Sequence, residues 1–273
     1  MEYEIKPQEK LNLGLRELWQ YRELFYFFTW RDIKVKYKQT ALGFVWAVLQ
    51  PLAMMLIFSV FFGRILKDPN DPTPYPVFVY SGLLLWNVFS SGLTGAGNSM
   101  VSNANIIKKI YFPRLIIPIS SVLVSLFDFF MAFLVFICLL IYYGTSINVF
   151  EFVPLLLISL LLTCISTFGM GSFLAALNIK YRDFRYVIPF LIQALFFLTP
   201  IIYPVSIASN HLYAKYFLAL NPMYAAIELF RYSIIHRPLQ GDLLLISISS
   251  GVLFFAAGLF YFRKTETYFA DLA

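Results

Sequence analysis

Charged residues are scarce in this sequence. Only 13% of the 273 residues are Asp, Glu, Lys or Arg and 60% are apolar, whereas an average soluble domain is about 25% charged. So few charges cannot cover the surface of a water-soluble fold of this size. Disorder is excluded as well, because disordered chains combine low hydrophobicity with high charge. The composition therefore predicts an integral membrane protein built largely within a bilayer.

Metal ligands and nucleotide-binding motifs are scarce too. Both cysteines, Cys138 and Cys164, lie within apolar runs, which favours buried apolar side chains over a disulfide or a metal site. The two histidines are too far apart for a metal-ligand pattern. The dipeptide Gly-Lys never occurs, so the chain lacks the phosphate loop GxxxxGKS/T. We therefore expect no nucleotide hydrolysis and no cofactor on this chain.

Long apolar runs are what the sequence does contain. A bilayer core about 30 Å thick needs roughly 20 apolar residues in a helix, and backbone polar groups in lipid must be satisfied within their own segment. The runs are continuously apolar rather than alternating, which favours an all-α membrane protein over a β-barrel. The six predicted spans are 41–63, 75–97, 115–141, 152–177, 186–205 and 243–262.

Basic residues are distributed unequally between the two sides of these spans. The segment before the first span, two alternate loops and the tail together carry 16 of the 21 Lys and Arg residues. The positive-inside rule therefore places both termini in the cytoplasm. The chain then divides into a cytoplasmic arm (1–40), a six-helix membrane domain (41–262) and a cytoplasmic tail (263–273). Since this bias explains the net positive charge, we expect no nucleic-acid partner.

The arm has the pattern of a surface helix. Apolar residues recur at helical spacing opposite a polar stripe, and they are Leu11, Leu15, Leu18 and Phe25. This predicts an amphipathic helix over 11–28 that lies along the cytoplasmic membrane face, as an anchor or as a regulatory element. A basic cluster follows at Arg31, Lys34, Lys36 and Lys38, which fits either a topology signal or contact with anionic headgroups.

Two loops are candidates for short helical segments. The 98–114 loop has three basic residues and no acid, and it is either a plain topological loop or a short helix offered to a partner. Between spans five and six, Asn221 and Pro222 form a helix start signal for a helix over 222–235. That helix is too short to cross a bilayer, so we expect an external re-entrant helix in or on the outer leaflet.

One charge interrupts the third run. Asp128 lies near the middle of 115–141, where a charge costs roughly 2.5–3.5 kcal/mol on insertion scales. It should therefore face the bundle interior and find a polar partner, either as part of a polar pathway or as a hydrogen-bonded packing residue. The candidate partners are Ser121, Ser125, Thr163, Ser166 and Gln193.

Several motifs in order carry a resemblance to a known family. The stretch at 31–65, RDIKVKYKQTALGFVWAVLQPLAMMLIFSVFFGRI, resembles the start of the permease subunit of type-2 ATP-binding-cassette exporters of O-antigen, capsule or teichoic acid chains. NANIIKKIYFPRLIIPIS at 103–120 is similar to the family's first cytoplasmic coupling segment. Further matches are NIKYRDFRYVIPFLIQALFFLTPIIYP at 178–204, NPMYAAIELFRYSII at 221–235 and FRKTETYFADLA at 262–273.

The resemblance implies a transport subunit rather than an enzyme. Such a permease forms a homodimer in the cytoplasmic (inner) membrane, and two separate ATPase subunits bind ATP and magnesium on its cytoplasmic face. The substrate would be a lipid-linked glycan, as in lipopolysaccharide biosynthesis. An exporter of small lipophilic compounds is the alternative within the same architecture. A membrane-embedded glycan transferase and a non-transporting scaffold are the alternatives from other classes.

The matched motifs also imply roles for individual residues. The coupling role falls on Asn103, Asn105, Ile106, Lys108 and Lys109 in the first loop and on Arg182 and Asp183 in the second. The basic residues that would attract the pyrophosphate of the lipid carrier are Arg31, Lys34 and Lys36. The predicted channel-lining residues are Trp46, Gln50 and Phe58 on span one and Gln193, Phe197 and Tyr203 on span five.

Overall fold

The fold is helical throughout the part of the chain that can be described. The computed structural model describes residues 15–38, 43–66, 73–181, 183–208, 212–266 and 269, and no strand occurs within them. A single turn of 3-10 helix spans Val205–Ala208. The helices are α1 (Leu15–Gln20), α2 (Arg22–Lys38), α3 (Val45–Leu66), α4 (Tyr75–Ser102), α5 (Ala104–Ile107), α6 (Ile116–Tyr142), α7 (Val149–Lys180), α8 (Phe184–Leu198), α9 (Leu212–Ala219), α10 (Met223–Ile235) and α11 (Gly241–Glu266).

Five of these helices, α3, α4, α6, α7 and α11, are long and apolar enough to cross a membrane. They confirm the predicted all-helical, multi-pass architecture. The remaining predicted span, 186–205, contains only the 15-residue α8, which is shorter than the roughly 20 residues that a bilayer core requires. Proline ends this helix early, because Thr199 precedes Pro200 and takes an extended conformation with ψ 134°.

Helix α4 lies at the centre of the bundle. In its most apolar 18-residue window 78% of the residues are buried, against 11–28% in the other four spans. It packs mainly against α6 and α7, with α3, α10 and α8 completing its surroundings. Glycine permits the close contacts, since Gly92 lies against Thr167 and Ser125. Because few of their residues are buried, the other four spans keep a large apolar surface for lipid or for a further protein chain.

Helices α7 and α11 cross at a pair of glycines. A Cβ atom built on Gly258 would lie 2.0 Å from the carbonyl oxygen of Gly169, and one built on Gly169 would lie 2.4 Å from the Cα of Phe255. These distances leave no room for any side chain larger than hydrogen. The contact is of the small-residue type by which membrane helices bring their backbones together.

A buried arginine organises one end of the bundle. We call the end where α4 begins the far end, and the end where α4 finishes at Ser102 the basic end. At the far end, Arg231 of α10 is only 3% exposed. Its guanidinium donates to the carbonyl oxygens of Pro200 at 2.5 Å, Ile201 at 2.6 Å and Phe78 at 3.2 Å. Glu228 lies 3.5 Å away and supplies the opposite charge.

The carbonyls of Pro200 and Ile201 follow the last turn of α8 and have no helical donor. Arg231 satisfies them and thereby fixes the end of α8 against α4 and α10. Tyr75 adds a second contact between α4 and the segment after α8, because its hydroxyl donates to the carbonyl oxygen of Ile202 at 2.8 Å. The position of α8 is thus determined by polar contacts at the far end rather than by its own length.

The basic end is closed by a second apolar cluster. It joins the arm, the loop after α4, and the end of α11 through Leu18, Phe28, Phe112, Phe262 and Phe269. Helix α2 continues to Lys38 and packs along α6, so the basic cluster after residue 28 is helical and not a linker. Residues 1–14 lie outside the described part, and so does the predicted start of the arm helix.

The arm also differs from a simple amphipathic helix. Its described apolar residues fall on two faces, one against the bundle and one outward. The inward face includes Leu18, Leu24, Phe25 and Phe28. The outward face carries Trp19, Tyr26, Phe27 and Trp30, all exposed. Aromatic side chains in such positions are typical of the bilayer–water interface.

The glycine crossing predicts a sharp stability difference. Gly258→Ala should lower the stability by about 1–3 kcal/mol, because the added methyl group forces the α7 and α11 backbones apart. The measurement is the thermal unfolding midpoint of the purified protein in detergent. Gly241→Ala, on the same helix but with nothing within 4 Å of its Cβ position, is the control. Equal midpoints for the two variants would contradict the prediction.

The contacts of Arg231 predict that a positive charge at this position is not enough to keep the protein stable. Arg231→Lys keeps the positive charge but cannot reach three carbonyls, and each unpaired buried polar group costs about 1–3 kcal/mol. We expect a clear fall in the thermal midpoint, whereas Arg185→Lys, at an exposed arginine, should leave it unchanged. An Arg231→Lys protein as stable as the wild type would show that the carbonyl contacts are dispensable.

Candidate functional site

A cavity of about 940 Å³ lies among α2, α3, α4, α6 and α8. Its wall includes five of the six predicted channel-lining residues: Trp46, Gln50, Phe58, Gln193 and Phe197. The sixth, Tyr203, lies beyond the bend that ends α8, where its hydroxyl donates to the carbonyl oxygen of Phe197 at 2.9 Å. The fold therefore brings the residues predicted from spans one and five to one cavity, apart from Tyr203.

The wall combines aromatic rings with polar side chains. The ring of Phe196 lies 5.9 Å from that of Phe58 and 5.6 Å from that of Trp86, centroid to centroid. Rings in this arrangement offer flat apolar faces next to polar groups. Neutral polar side chains complete the wall, and they are Gln50, Asn87, Ser90, Ser91, Thr94, Ser121, Ser125 and Gln193.

The polar contribution of α4 was missed from the sequence. Asn87, Ser90, Ser91 and Thr94 all line the cavity. They recur three to four residues apart, which is the spacing of one helix face. This stripe in NVFSSGLT, within the second predicted span, was the signal that could have identified them.

Asp128 finds its partners on the arm. Its carboxylate pairs with the Nζ of Lys36 and accepts a hydrogen bond from the hydroxyl of Tyr37. Two of the expected partners, Ser125 on the same helix and Thr163 on α7, bond instead to carbonyls of their own helices. The reason is that α2 lies beside the first half of α6, which brings the end of the arm to mid-span.

Tyr37 keeps its proton in this setting. Burial, followed by the hydrogen bond to Asp128 and its negative charge, raises the pKa of the Tyr37 hydroxyl well above its ordinary value. The hydroxyl is therefore a permanent donor to the carboxylate. Asp128 consequently has two partners of different kinds, one charged and one neutral.

The three basic residues predicted to attract a headgroup lie in different surroundings. Arg31 pairs with Asp32 at 2.7 Å and donates to the Oδ1 of Asn103 at 2.8 Å. Lys34 is exposed, with its Nζ 5.2 Å from the centroid of the Trp30 ring. Of the three, only Lys36 lines the cavity.

The predicted coupling segment forms a small projection at the basic end. Asn103 is buried and ends α4, since its backbone N–H and its side-chain amide both donate to the carbonyl oxygen of Ser99, at 3.1 and 2.9 Å. The single turn α5 follows, anchored by the buried Ile107. Three of the predicted coupling side chains, Asn105, Lys108 and Lys109, are exposed, whereas Ile106 is half-buried.

Two further side chains extend this projection. Ile110 is 61% and Tyr111 is 71% exposed, and no sequence pattern singled them out. In the second loop, Asp183 is exposed, and Arg182 lies outside the described residues. The exposed face around α5 is therefore basic and partly apolar.

The loop that carries α5 is tied to the end of α11. Glu266 accepts hydrogen bonds from the backbone N–H of Arg114 at 3.3 Å and from the Nη1 of Arg263 at 2.6 Å. The guanidinium of Arg114 also donates to the carbonyl oxygen of Glu266. The α5 loop is therefore connected to α4 through Asn103, to α2 through Arg31 and to α11 through Arg114.

Comparisons with known proteins match most of the chain. The family described as "ABC-2 type transporter" matches residues 23–235. The chain is 30% identical over 257 residues to the O-antigen export system permease protein RfbA of Myxococcus xanthus, covering 92% of this chain and 96% of that protein. It is 31% identical over 256 residues to the protein of the same name from Klebsiella pneumoniae, covering 92% and 95%.

A second group of relatives is more distant. The chain is 26% identical over 208 residues to the polysialic acid transport protein KpsM of Escherichia coli, covering 75% of this chain and 78% of that protein. The match to the family covers the arm from Glu23, α5, the cavity helices and α10. The chain therefore belongs to the ABC-2 type transporter family.

Proposed function

We propose that this chain is the membrane subunit of an exporter that moves a lipid-linked polysaccharide across the cytoplasmic membrane. The observation that carries the proposal is the cavity, where aromatic rings and neutral polar side chains share one wall. Aromatic faces and amides make weak contacts with sugar rings of many kinds, which suits a polymer that has to move past them. The relatives named as O-antigen export and polysialic acid transport proteins support the same substrate class.

ATP hydrolysis takes place on separate subunits. Membership of the family implies ATP-binding partners, and we place them, with their magnesium, against the exposed face around α5 at the basic end. The basic side chains Lys108 and Lys109 project there. A partner that docks on this surface would need a complementary acidic patch.

A second copy of the chain completes the channel in this proposal. The channel residues Trp46 and Phe197 are 51% and 59% exposed although both line the cavity. In α3 only 11% of the most apolar window is buried. A homodimer that covers α3 and α8 would enclose the cavity between two protomers.

Six crossings give a consistent membrane topology. Ile188, at the start of α8, packs against Gly97 near the basic end of α4. Ile202 contacts Tyr75 at the opposite end. The segment from α8 to Ile202 thus extends along nearly all of α4, and we count it as the fifth crossing. Helices α9 and α10 then form the external re-entrant region, and both termini, with the arm and the tail, are cytoplasmic.

The proposal predicts glycan-dependent hydrolysis by the complex. The chain reconstituted with its ATPase partner should hydrolyse ATP faster when a lipid-linked glycan is added. A rise with small lipophilic compounds but not with glycans would favour the alternative exporter. Sugar transfer by the purified chain alone would contradict the proposal and identify an enzyme.

The same assay tests the coupling surface. Lys108→Glu combined with Lys109→Glu should reduce glycan-stimulated hydrolysis by about tenfold or more, because like charges in an interface are strongly unfavourable. Lys264→Glu reverses an exposed charge at the same end of the bundle and should have little effect. Normal stimulation in the double variant would exclude this loop as the coupling surface.

Topology is tested by labelling with an impermeant thiol reagent. In a background with Cys138 and Cys164 replaced by alanine, Ser146→Cys should react in intact cells, because this exposed residue lies in the α6–α7 turn at the far end. Asn105→Cys, exposed at the basic end, should react only after the cells are opened. The opposite pattern would invert the proposed orientation.

A further inference from the structure

The cavity wall has an unusual distribution of charge. Among the described residues that line it, the charged ones are Asp32, Lys36 and Asp128, so Lys36 is the single basic side chain. Asp32 is already paired with Arg31 at 2.7 Å. Among the described residues of this wall, the positive charge that an anion would meet is therefore an ammonium held by a carboxylate.

The two members of the ion pair between Lys36 and Asp128 differ in their exposure. The Lys36 side chain is 44% exposed, whereas that of Asp128 is only 15% exposed. The hydroxyl of Tyr37 also donates to Asp128. If the ammonium turns away, Asp128 keeps Tyr37 as a donor and is not left as a bare charge. The ammonium can therefore exchange partners without leaving an unsatisfied carboxylate in the protein interior.

The chemistry of a second partner follows from the donor. A lysine ammonium is a compact charge with three N–H donors, and phosphate oxygens are among its preferred acceptors. The same wall carries the amide groups of Gln50 and Gln193, which are neutral N–H donors. A diphosphate can be shared between such an ammonium and neutral donors, whereas a neutral sugar gains nothing from the charge.

We propose that Lys36 binds the diphosphate of the transported lipid-linked substrate in this cavity, and that Asp128 is the competing carboxylate that sets the affinity. This inference rests on the proposed function. It adds Lys36 as the residue that binds the headgroup and Asp128 as the residue that competes with the headgroup for the ammonium. Asp128 occupies the ammonium when no substrate is present. Binding then has to displace Asp128, so the apparent affinity is the intrinsic affinity multiplied by the fraction of time that the pair is open.

The proposal makes opposite predictions for the two halves of one ion pair. Lys36→Gln should weaken binding by about tenfold or more, since the charge that contacts the diphosphate is lost. Asp128→Asn should strengthen binding by about fivefold, since the ammonium is then free. Tyr37→Phe should weaken it about twofold, because Asp128 then depends on Lys36 alone. Lys38→Gln, at an exposed lysine on the same helix, should change nothing.

Binding is measured on the full-length chain in nanodiscs of neutral lipid. The probe is a polyprenyl diphosphate, with the matching polyprenyl alcohol as the control that lacks the headgroup. Inorganic pyrophosphate serves as a competitor and separates the two sources of the anion. Inorganic pyrophosphate should displace polyprenyl diphosphate from the wild-type protein. It should bind more weakly than the lipid, because the polyprenyl group adds apolar contacts that pyrophosphate lacks. Equal potency would assign the site to free diphosphate and overturn the lipid-linked assignment.

A purely structural ion pair gives a different pattern. Lys36→Gln and Asp128→Asn would then change binding in the same direction and lower the thermal midpoint alike, which would overturn the proposal. If Asp128→Asn does not fold, binding by Tyr37→Phe is compared with binding by Lys38→Gln. Unchanged binding in Tyr37→Phe would then contradict the proposal. If the wild type does not bind polyprenyl diphosphate but glycans still stimulate ATP hydrolysis, this inference fails and the proposed function stands. If neither binding nor stimulation is observed, both the inference and the proposed function are contradicted.

Discussion

A polar group inside a bilayer has to find its partner within the protein, and this constraint shapes the whole fold. Water cannot satisfy a carbonyl or a carboxylate in the hydrocarbon region. Two charged residues meet the requirement at different depths. Arg231 binds carbonyls beyond the end of α8, and Asp128 pairs with Lys36 and Tyr37 of the arm. Each attaches an element too short or too polar to span a membrane by itself.

These two attachments hold two of the five helices that form the cavity wall. Helix α8 contributes Gln193 and Phe197 to the cavity, and α2 contributes Lys36. Neither helix packs as extensively as α4 or α7, and α8 in particular makes few contacts with its neighbours. Apolar burial alone would leave such short helices weakly held. The polar contacts of Arg231 and Asp128 therefore place the side chains that the substrate would meet.

Hydropathy and charge predicted the spans well because they depend on local composition. Five of the six predicted runs became long helices with bounds within a few residues of those expected. Pro200, which follows the end of α8, was visible in the sequence, and so was the α4 stripe from Asn87 to Thr94. The partner of Asp128 was not visible, because Lys36 lies 92 positions away in an arm that was expected to lie on the membrane surface. A long-range pair of this kind depends on how α2 packs against α6, which no local pattern encodes.

The chemistry of the cavity fits the two demands on an exporter of a long polymer. Tight contacts with the sugars would stop the chain from moving, so aromatic faces and neutral amides are better suited than charges. A lipid carrier of the kind we propose would have to be recognised once, when transport begins. Under this proposal, a lysine that is neutralised by Asp128 would present no net charge to the passing sugars and would still offer an ammonium to a diphosphate that displaces the carboxylate. Arg31 on the same helix is bonded to Asn103 beside α5. Occupation of Lys36 and movement of the α5 loop would therefore act on the same helix, and headgroup recognition would be linked to ATP hydrolysis through α2 without any contact between the substrate and the ATPase.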